Sequence, residues 1–207
     1  GAAVGTFLGT AIWAFAGAQA FALLFAFFVL GTAATKLGYA RKAAAGIAQE
    51  KGGRRGPGNA LSKTSIPALA AVFAATTGYP ELFALALAGA FATAAFDTVS
   101  SEVGKAYGRR TYLITTLRSV PRGTDGAVSL EGTVSGMAAA LLLAGLGAAL
   151  DLYPAAGIGA VAVAAFLATT LESVVGATLE KRGLLDNEAV NFLNSLAGAL
   201  LAAAGGA

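Results

Sequence analysis

All 14 lysines and arginines of this 207-residue chain fall in three stretches, and the segments between them are apolar and of membrane length. The pattern predicts Ala2–Phe15 and Ala18–Thr35 as a first helical pair, Ser65–Thr77 and Glu81–Phe96 as a second, and Ser129–Leu150 and Ala155–Thr170 as a third. Glu188–Ala204 is a final single helix, which makes about seven transmembrane helices. The basic stretches are loops at about 36–64, 97–128 and 176–187. Because a helical hairpin separates each from the next, all three lie on one side, and the positive-inside rule makes that side cytoplasmic. The opposite side carries only tight turns, with Glu81 and Asp151 as its charges. Residues 1–35 have no basic segment ahead of them and read as membrane helix rather than a signal peptide. The expected fold is an all-α polytopic membrane helix bundle, one integral membrane domain over 1–207.

Composition agrees. The chain is 57% hydrophobic and 12% charged, where a soluble domain carries roughly 25% charged residues. With no cysteine and no histidine, thiol chemistry, zinc sites of the common kind and a histidine base are excluded. Any chemistry must use carboxylates, hydroxyls, amides, Lys and Arg, with a hard metal ion as the one metal class supported.

The acids follow the bases: nine of the 11 Asp and Glu sit in or beside the basic loops. Glu50 and Glu180 read as charge balance near headgroups. Asp97 and Glu172 do not, because they stand at the ends of apolar helices, where a carboxylate costs up to about 2.5–3.5 kcal/mol at the helix centre. They mark function.

An internal repeat of helical hairpins organises these landmarks. "RGPGNALS" (55–62) and "RGTDGAVS" (122–129) share Arg, Gly, Ala and Ser at equal offsets. Each is followed by a helix out, a Tyr-Pro turn (Tyr79-Pro80, Tyr153-Pro154), a helix back, and then an acid, Asp97 or Glu172. Repeat interfaces are common places for substrate sites in membrane proteins, so both units should converge on one site.

Glycine lets backbone N–H groups approach phosphate, and Arg binds its oxygens in pairs. "PRGTDGAVSLEG" reads as a phosphate loop rather than a lipid-adhering one because Asp125 and Glu131 interrupt the basic pattern. Lys36 to Lys51 read as the lipid-adhering kind. Asp97, Ser100, Ser101 and Gly104 share one helix face, with Glu102 flanking it. Glu172, Gly176 and Glu180 align in the same way. Asn187, Asn191 and Asn194 form a stripe that serves either helix packing or the site. Carboxylates with hydroxyls and amides are the ligand set of Mg²⁺. "GNALSKTS" is no P-loop, since Ser62 stands where its second Gly belongs and no strand precedes it.

The blocks "GGRRGPGNALS", "AFDTVSSEVGKAYG", "PRGTDGAVSLEGTVSG", "LESVVGATLE" and "NEAVNFLNS" resemble, in that order, the signature blocks of domain-of-unknown-function family 92. That family includes the transmembrane protein 19 group and the phytyl-phosphate kinases of plants and cyanobacteria. The resemblance runs from about Phe28 to the C-terminus. It implies an integral membrane kinase that converts an isoprenyl monophosphate such as phytyl or geranylgeranyl phosphate to its diphosphate, with a nucleoside triphosphate, CTP favoured, as donor.

Phosphoryl transfer needs positioning and charge neutralisation more than covalent chemistry, which suits such a residue set. Asp97, Glu102 and Glu131 are expected to hold Mg²⁺. Asp125 and Glu172 either bind the metal or support its ligands. Arg55, Arg118 and Arg122 are expected to neutralise phosphate, with Ser101, Thr124 and Ser129 as hydrogen-bond partners. Asn59, Gly123, Gly126, Asn187 and Asn191 complete the expected binding set. The partners are then nucleotide, isoprenyl phosphate and bilayer, with no nucleic acid. Gly5/Gly9 and Gly132/Gly136 allow close helix contacts within a chain or in a homo-oligomer. The rival reading is a transporter or lipid-handling protein, which intramembrane acids and repeats also mark. Against it, polar residues crowd one membrane face.

Overall fold

The computed structural model describes residues 1–206, and the side chains of Glu50 and Lys51 lie outside that description together with Ala207. The first apolar stretch forms α1 (Ala2–Lys36), broken at Gly17. Gly17 sits at φ +77°, ψ −177°, a conformation open to glycine and closed to other residues. There the chain folds back on itself. A Cβ placed on Gly9 would touch Leu24 and Phe21, and Trp13 meets the Phe21 ring edge-on at 5.1 Å. The expected first pair is therefore a hairpin with a single turn residue.

Both ends of α1 return to the basic end of the molecule. A Cβ on Gly1 would lie 2.8 Å from the Arg55 carbonyl oxygen, and Thr35 Oγ1 accepts from Arg55 Nη2 at 3.5 Å. The first basic stretch then folds into two short helices, α2 (Tyr39–Ala44) and α3 (Glu50–Gly53), before α4 (Pro57–Thr76). Helix α4 begins eight residues earlier than its hydropathy predicts. Gly56 caps it in an extended conformation and Pro57 occupies the first position, where a missing N–H is harmless.

Helix α5 (Pro80–Tyr107) likewise runs past Phe96, through the acids and into the second basic stretch. The rest of that stretch holds a small antiparallel ribbon of β1 (Thr111–Leu113) and β2 (Ala127–Ser129), with Thr111 opposite Ser129. An all-loop connection was expected; three-residue strands are too short to leave a readable alternation. Next come α6 (Leu130–Ala149) and α7 (Gly157–Val175), which widens into a π turn at Gly176–Glu180, and finally α8 (Asn187–Gly206).

The all-α membrane bundle is thus the fold observed. Counting α1 as two arms, it has seven long helical segments, and five of the helices are long and apolar enough to cross a membrane. Helix α4 falls outside that set because Asn59, Ser62, Lys63, Thr64 and Ser65 fill its first half.

Helix α5 is the axis, packed against α1, α4, α6, α7 and α8. Its Phe91, Ala88, Ala92 and Ala95 are fully buried. Without a hydrophobic drive inside lipid, such helices hold together by close packing of small residues. Gly89 on α5 faces Gly198 on α8 so closely that a Cβ would stand 2.5 Å from the Gly198 carbonyl oxygen. Gly132 and Gly136 pack against Ser100 and Phe96 of the same chain, and Gly9 against its own hairpin partner. These three glycines serve contacts within the chain, while a Cβ on Gly5 would meet nothing within 4 Å among the described residues.

Candidate functional site

At the basic end, α5, α7, α8 and the turn before β2 enclose a cavity of about 360 Å³. Asp97 lies 17 residues beyond the start of α5, about 25 Å along the helix, so it stands inside the apolar layer near its basic face. Lys63 of α4 meets it: Nζ is 2.5 Å from Asp97 Oδ2 and donates to Thr98 Oγ1 at 2.8 Å. Lys63 is 3% exposed. A cation this deep needs a partner, and Asp97 supplies it.

Glu172 enters from α7 and faces Asp97, Lys63 and Glu180. Asn194 of α8 donates to Glu172 Oε2 at 2.5 Å. The two acids that the repeat places at equivalent positions therefore look at each other across the cavity. Two facing carboxylates favour a cation between or beside them. Glu180 continues the row toward Asp125 and Asn187.

The turn over the cavity is fixed by two glycines. Gly123 and Gly126 have φ of +82° and +73°. A Cβ on Gly126 would lie 2.5 Å from both the Ser173 carbonyl oxygen and Ala177 Cβ, so only glycine lets this turn lie directly on the π turn of α7. Thr124, Asp125 and Gly126 line the cavity beneath it.

Of the residues expected from sequence, Asp97, Glu102, Asp125, Glu172, Arg55 and Ser101 line this cavity. So do Gly123, Thr124, Gly126, Ser129, Asn187 and Asn191. Ser129 has a structural task as well: its Oγ caps α6 by accepting from Gly132 N at 3.1 Å. Asn191 donates to the Asn187 side chain at 2.9 Å and to its carbonyl at 2.7 Å.

The expected metal triad is not assembled. Among the described residues no group of three carboxylates stands close enough to hold a metal ion. Glu131 turns toward the end of α5, where it accepts from Arg109 N at 3.3 Å. Glu102 is 1% exposed and is held by Lys42, with Arg55 Nη2 3.7 Å from its other oxygen. Its charge is already matched.

Three other expected residues also lie elsewhere. Asn59 stands one turn below Arg55 on α4 and accepts from Arg55 Nη1 at 3.4 Å. Arg118 is exposed in the ribbon's loop. Arg122 turns away and donates to the Ala106 carbonyl at 3.4 Å. The two Arg-Gly segments thus both reach the cavity, but only the first brings its arginine to it.

Sequence reading missed Lys63, Lys42 and the role of Glu180. Lys63 carried a usable signal: it is the one cation within a helix that otherwise turns apolar. Lys42 did not, since it sits among the basic residues assigned to headgroup contact. It is instead fully buried, donating to the Ala34 and Thr35 carbonyls as well as to Glu102.

A family model described as integral membrane protein DUF92 matches residues 1–199. An uncharacterized membrane protein of Synechocystis is 48% identical over 94% of this chain and 77% of its own length. The chloroplastic protein VTE6 of Arabidopsis thaliana is 39% identical over 98% of this chain, which spans 63% of VTE6. An uncharacterized membrane protein of Methanocaldococcus jannaschii is 32% identical over 94% of this chain and 79% of its own length. No solved structure matches this one.

Proposed function

The chain belongs to the DUF92 family of integral membrane proteins, and on that footing we propose that it is a membrane kinase acting on an isoprenyl monophosphate. The donor is a nucleoside triphosphate, CTP in the favoured reading, and the product is the isoprenyl diphosphate. One observation carries the reading: cations and carboxylates face each other in a cavity at the end of an otherwise apolar bundle. The resemblance of the signature blocks to phytyl-phosphate kinases supports it, and so does the similarity to VTE6.

The chemistry asks little beyond charge and position. An acceptor phosphate is already ionised, so no histidine base is needed. Arg55, Lys63 and Lys105 line the cavity and neutralise phosphate oxygens. The backbone of the 123–126 turn approaches the phosphates closely, as glycine permits.

Five carboxylates line the cavity against those three cations, a donor set that fits Mg²⁺. That ion is typically bound by only one or two carboxylates, with substrate phosphate and water filling the rest of its shell. Asp97 and Glu172 would hold it, with Glu180 and Asp125 beside them. When bound, the ion neutralises charge on the transferring phosphoryl group. The isoprenoid tail lies against Phe96 and Phe166, at the lipid side of the same cavity. Because the cavity opens at the basic end, the reaction runs on the cytoplasmic side.

The test is incubation of the purified chain with labelled nucleoside triphosphates, Mg²⁺ and a panel of prenyl monophosphates. Labelled prenyl diphosphate is the expected product, formed fastest with CTP. No labelled diphosphate from any donor and acceptor pair overturns the reading.

A further inference from the structure

Outside the main cavity, Arg41 of α2 and Arg122 of the glycine turn converge on one atom. Arg41 Nη1 donates to the Ala106 carbonyl oxygen at 3.2 Å, and Arg122 Nη1 donates to the same oxygen at 3.4 Å. With Lys105 they line a second recess of about 410 Å³, walled by Ala45, Ile47 and Pro121. Arg41 also lies over the Tyr107 ring, 5.2 Å from its centroid, which restricts its orientation.

The end of α5 accounts for part of this arrangement. Ala106 is in the last turn, where unpaired carbonyls carry about half a negative charge in total. That attracts one cation. It does not balance three, and an anion among them relieves the repulsion of like charges brought together. Among the described residues, no carboxylate stands within ion-pair distance of Arg41, Lys105 or Arg122. Arg109, Arg110 and Arg118, exposed as Arg41 and Arg122 are, show no such convergence among the described residues.

We propose that Arg41, Lys105 and Arg122 form a second phosphate-binding site, distinct from the main cavity and joined to it by Lys105, which lines both. The ligand chemistry is a phosphate group presented from the basic face. Helix α5 reaches Lys105 eight residues past Asp97, about 12 Å further toward that face, which is the depth of lipid headgroups. An anionic phospholipid and a free phosphate share the recognised chemistry. The site stands on this geometry alone and does not depend on the kinase reading.

The experiment measures equilibrium binding of two labelled probes to the purified full chain in neutral detergent: pyrophosphate, and dioleoyl phosphatidylglycerol. The variants are Arg41→Gln/Arg122→Gln, the charge-keeping Arg41→Lys/Arg122→Lys, and Lys63→Gln as a control in the main cavity. The glutamine pair should weaken at least one probe by about tenfold or more. The lysine pair should retain most of that binding, which separates lost charge from lost fold, and Lys63→Gln should leave this component in place. Loss of pyrophosphate alone assigns a soluble phosphate, and loss of phosphatidylglycerol alone assigns a lipid headgroup. Binding of both probes within about twofold of wild type in the glutamine pair overturns the site. So does equal loss in both double variants.

Discussion

The two out-and-back hairpins, α4–α5 and α6–α7, share an order of landmarks and divide the work differently. In the first, Arg55 stays at the cavity, α4 delivers Lys63, and α5 continues unbroken as the axis of the bundle. In the second, Arg122 turns outward, α6 delivers no cation, and α7 gives way to a π turn. Even the matching turns diverge. Tyr79 is 68% exposed while Tyr153 is 3% exposed, its hydroxyl donating to the Ala144 carbonyl at 2.8 Å. Burial raises the Tyr153 pKa above the ordinary tyrosine range. Equal landmarks bring Asp97 and Glu172 together, but the first hairpin supplies the cations and the second supplies the opposing acid and the loop. A similar order of motifs sets topology. It does not set the duty of each residue.

The strongest way to break this comparison is through the buried charge that the first hairpin pairs with α2. Removing one member of the Lys42–Glu102 pair leaves the other charge buried without its partner, which costs about 3–5 kcal/mol. Lys42→Met and Glu102→Gln should each lower the midpoint of denaturant unfolding in detergent accordingly. The double variant Lys42→Met/Glu102→Leu should recover most of the loss, and failure to do so would deny the pair its structural role.

Next come the facing acids. Asp97→Asn and Glu172→Gln should each reduce kcat/KM by about two decades, the upper end for charge-assisted contacts of roughly 1.5–3 kcal/mol each. Raising Mg²⁺ should restore part of the activity. A Glu172 variant with wild-type turnover at limiting Mg²⁺ would deny Glu172 a part in holding the proposed ion.

The arginines give a sharper contrast. Arg55→Ala should lose about one to two decades in kcat/KM. Because Arg55 and Arg122 lie in separate recesses, their effects should add within about 0.5 kcal/mol in a double-mutant cycle. A larger interaction energy would place them on one phosphate cluster after all. The smallest effect belongs to the turns. Tyr153→Phe should cost about 1 kcal/mol for its buried hydrogen bond, and Tyr79→Phe should stay within about 0.5 kcal/mol; comparable losses would erase the difference between the hairpins.

Hydropathy and charge placement made the bundle legible, because lipid permits few solutions for a backbone with polar groups. Even the Gly17 fold-back lay between the two spans read for the first pair. Helix ends were less legible. Helices α4 and α5 run on through polar residues, since Pro57 starts one cleanly and nothing before Gly108 stops the other. In the site, Asp97 and Glu172 stood out because an acid in an apolar helix needs a reason. Glu102 and Glu131 looked like metal ligands from residue type and from their place beside phosphate-suited segments. Their partners, Lys42 and the Arg109 amide, are set by long-range packing, which no local pattern encodes. Lys42 was hidden for the same reason: a buried lysine among surface ones differs only in what the rest of the chain places around it.

The π turn at Gly176–Glu180 acts as a phase shifter. It holds one residue more than an α turn and closes with Lys181 N on the Gly176 carbonyl at 3.3 Å. Everything after it is therefore rotated by about 100° relative to an unbroken helix. That offset lets Glu172, before the insertion, and Glu180, at its end, address one cavity while Gly176 leaves room for Gly126. Deleting a single residue between Glu172 and Glu180 would restore regular winding and still leave the two acids on one face, seven residues apart.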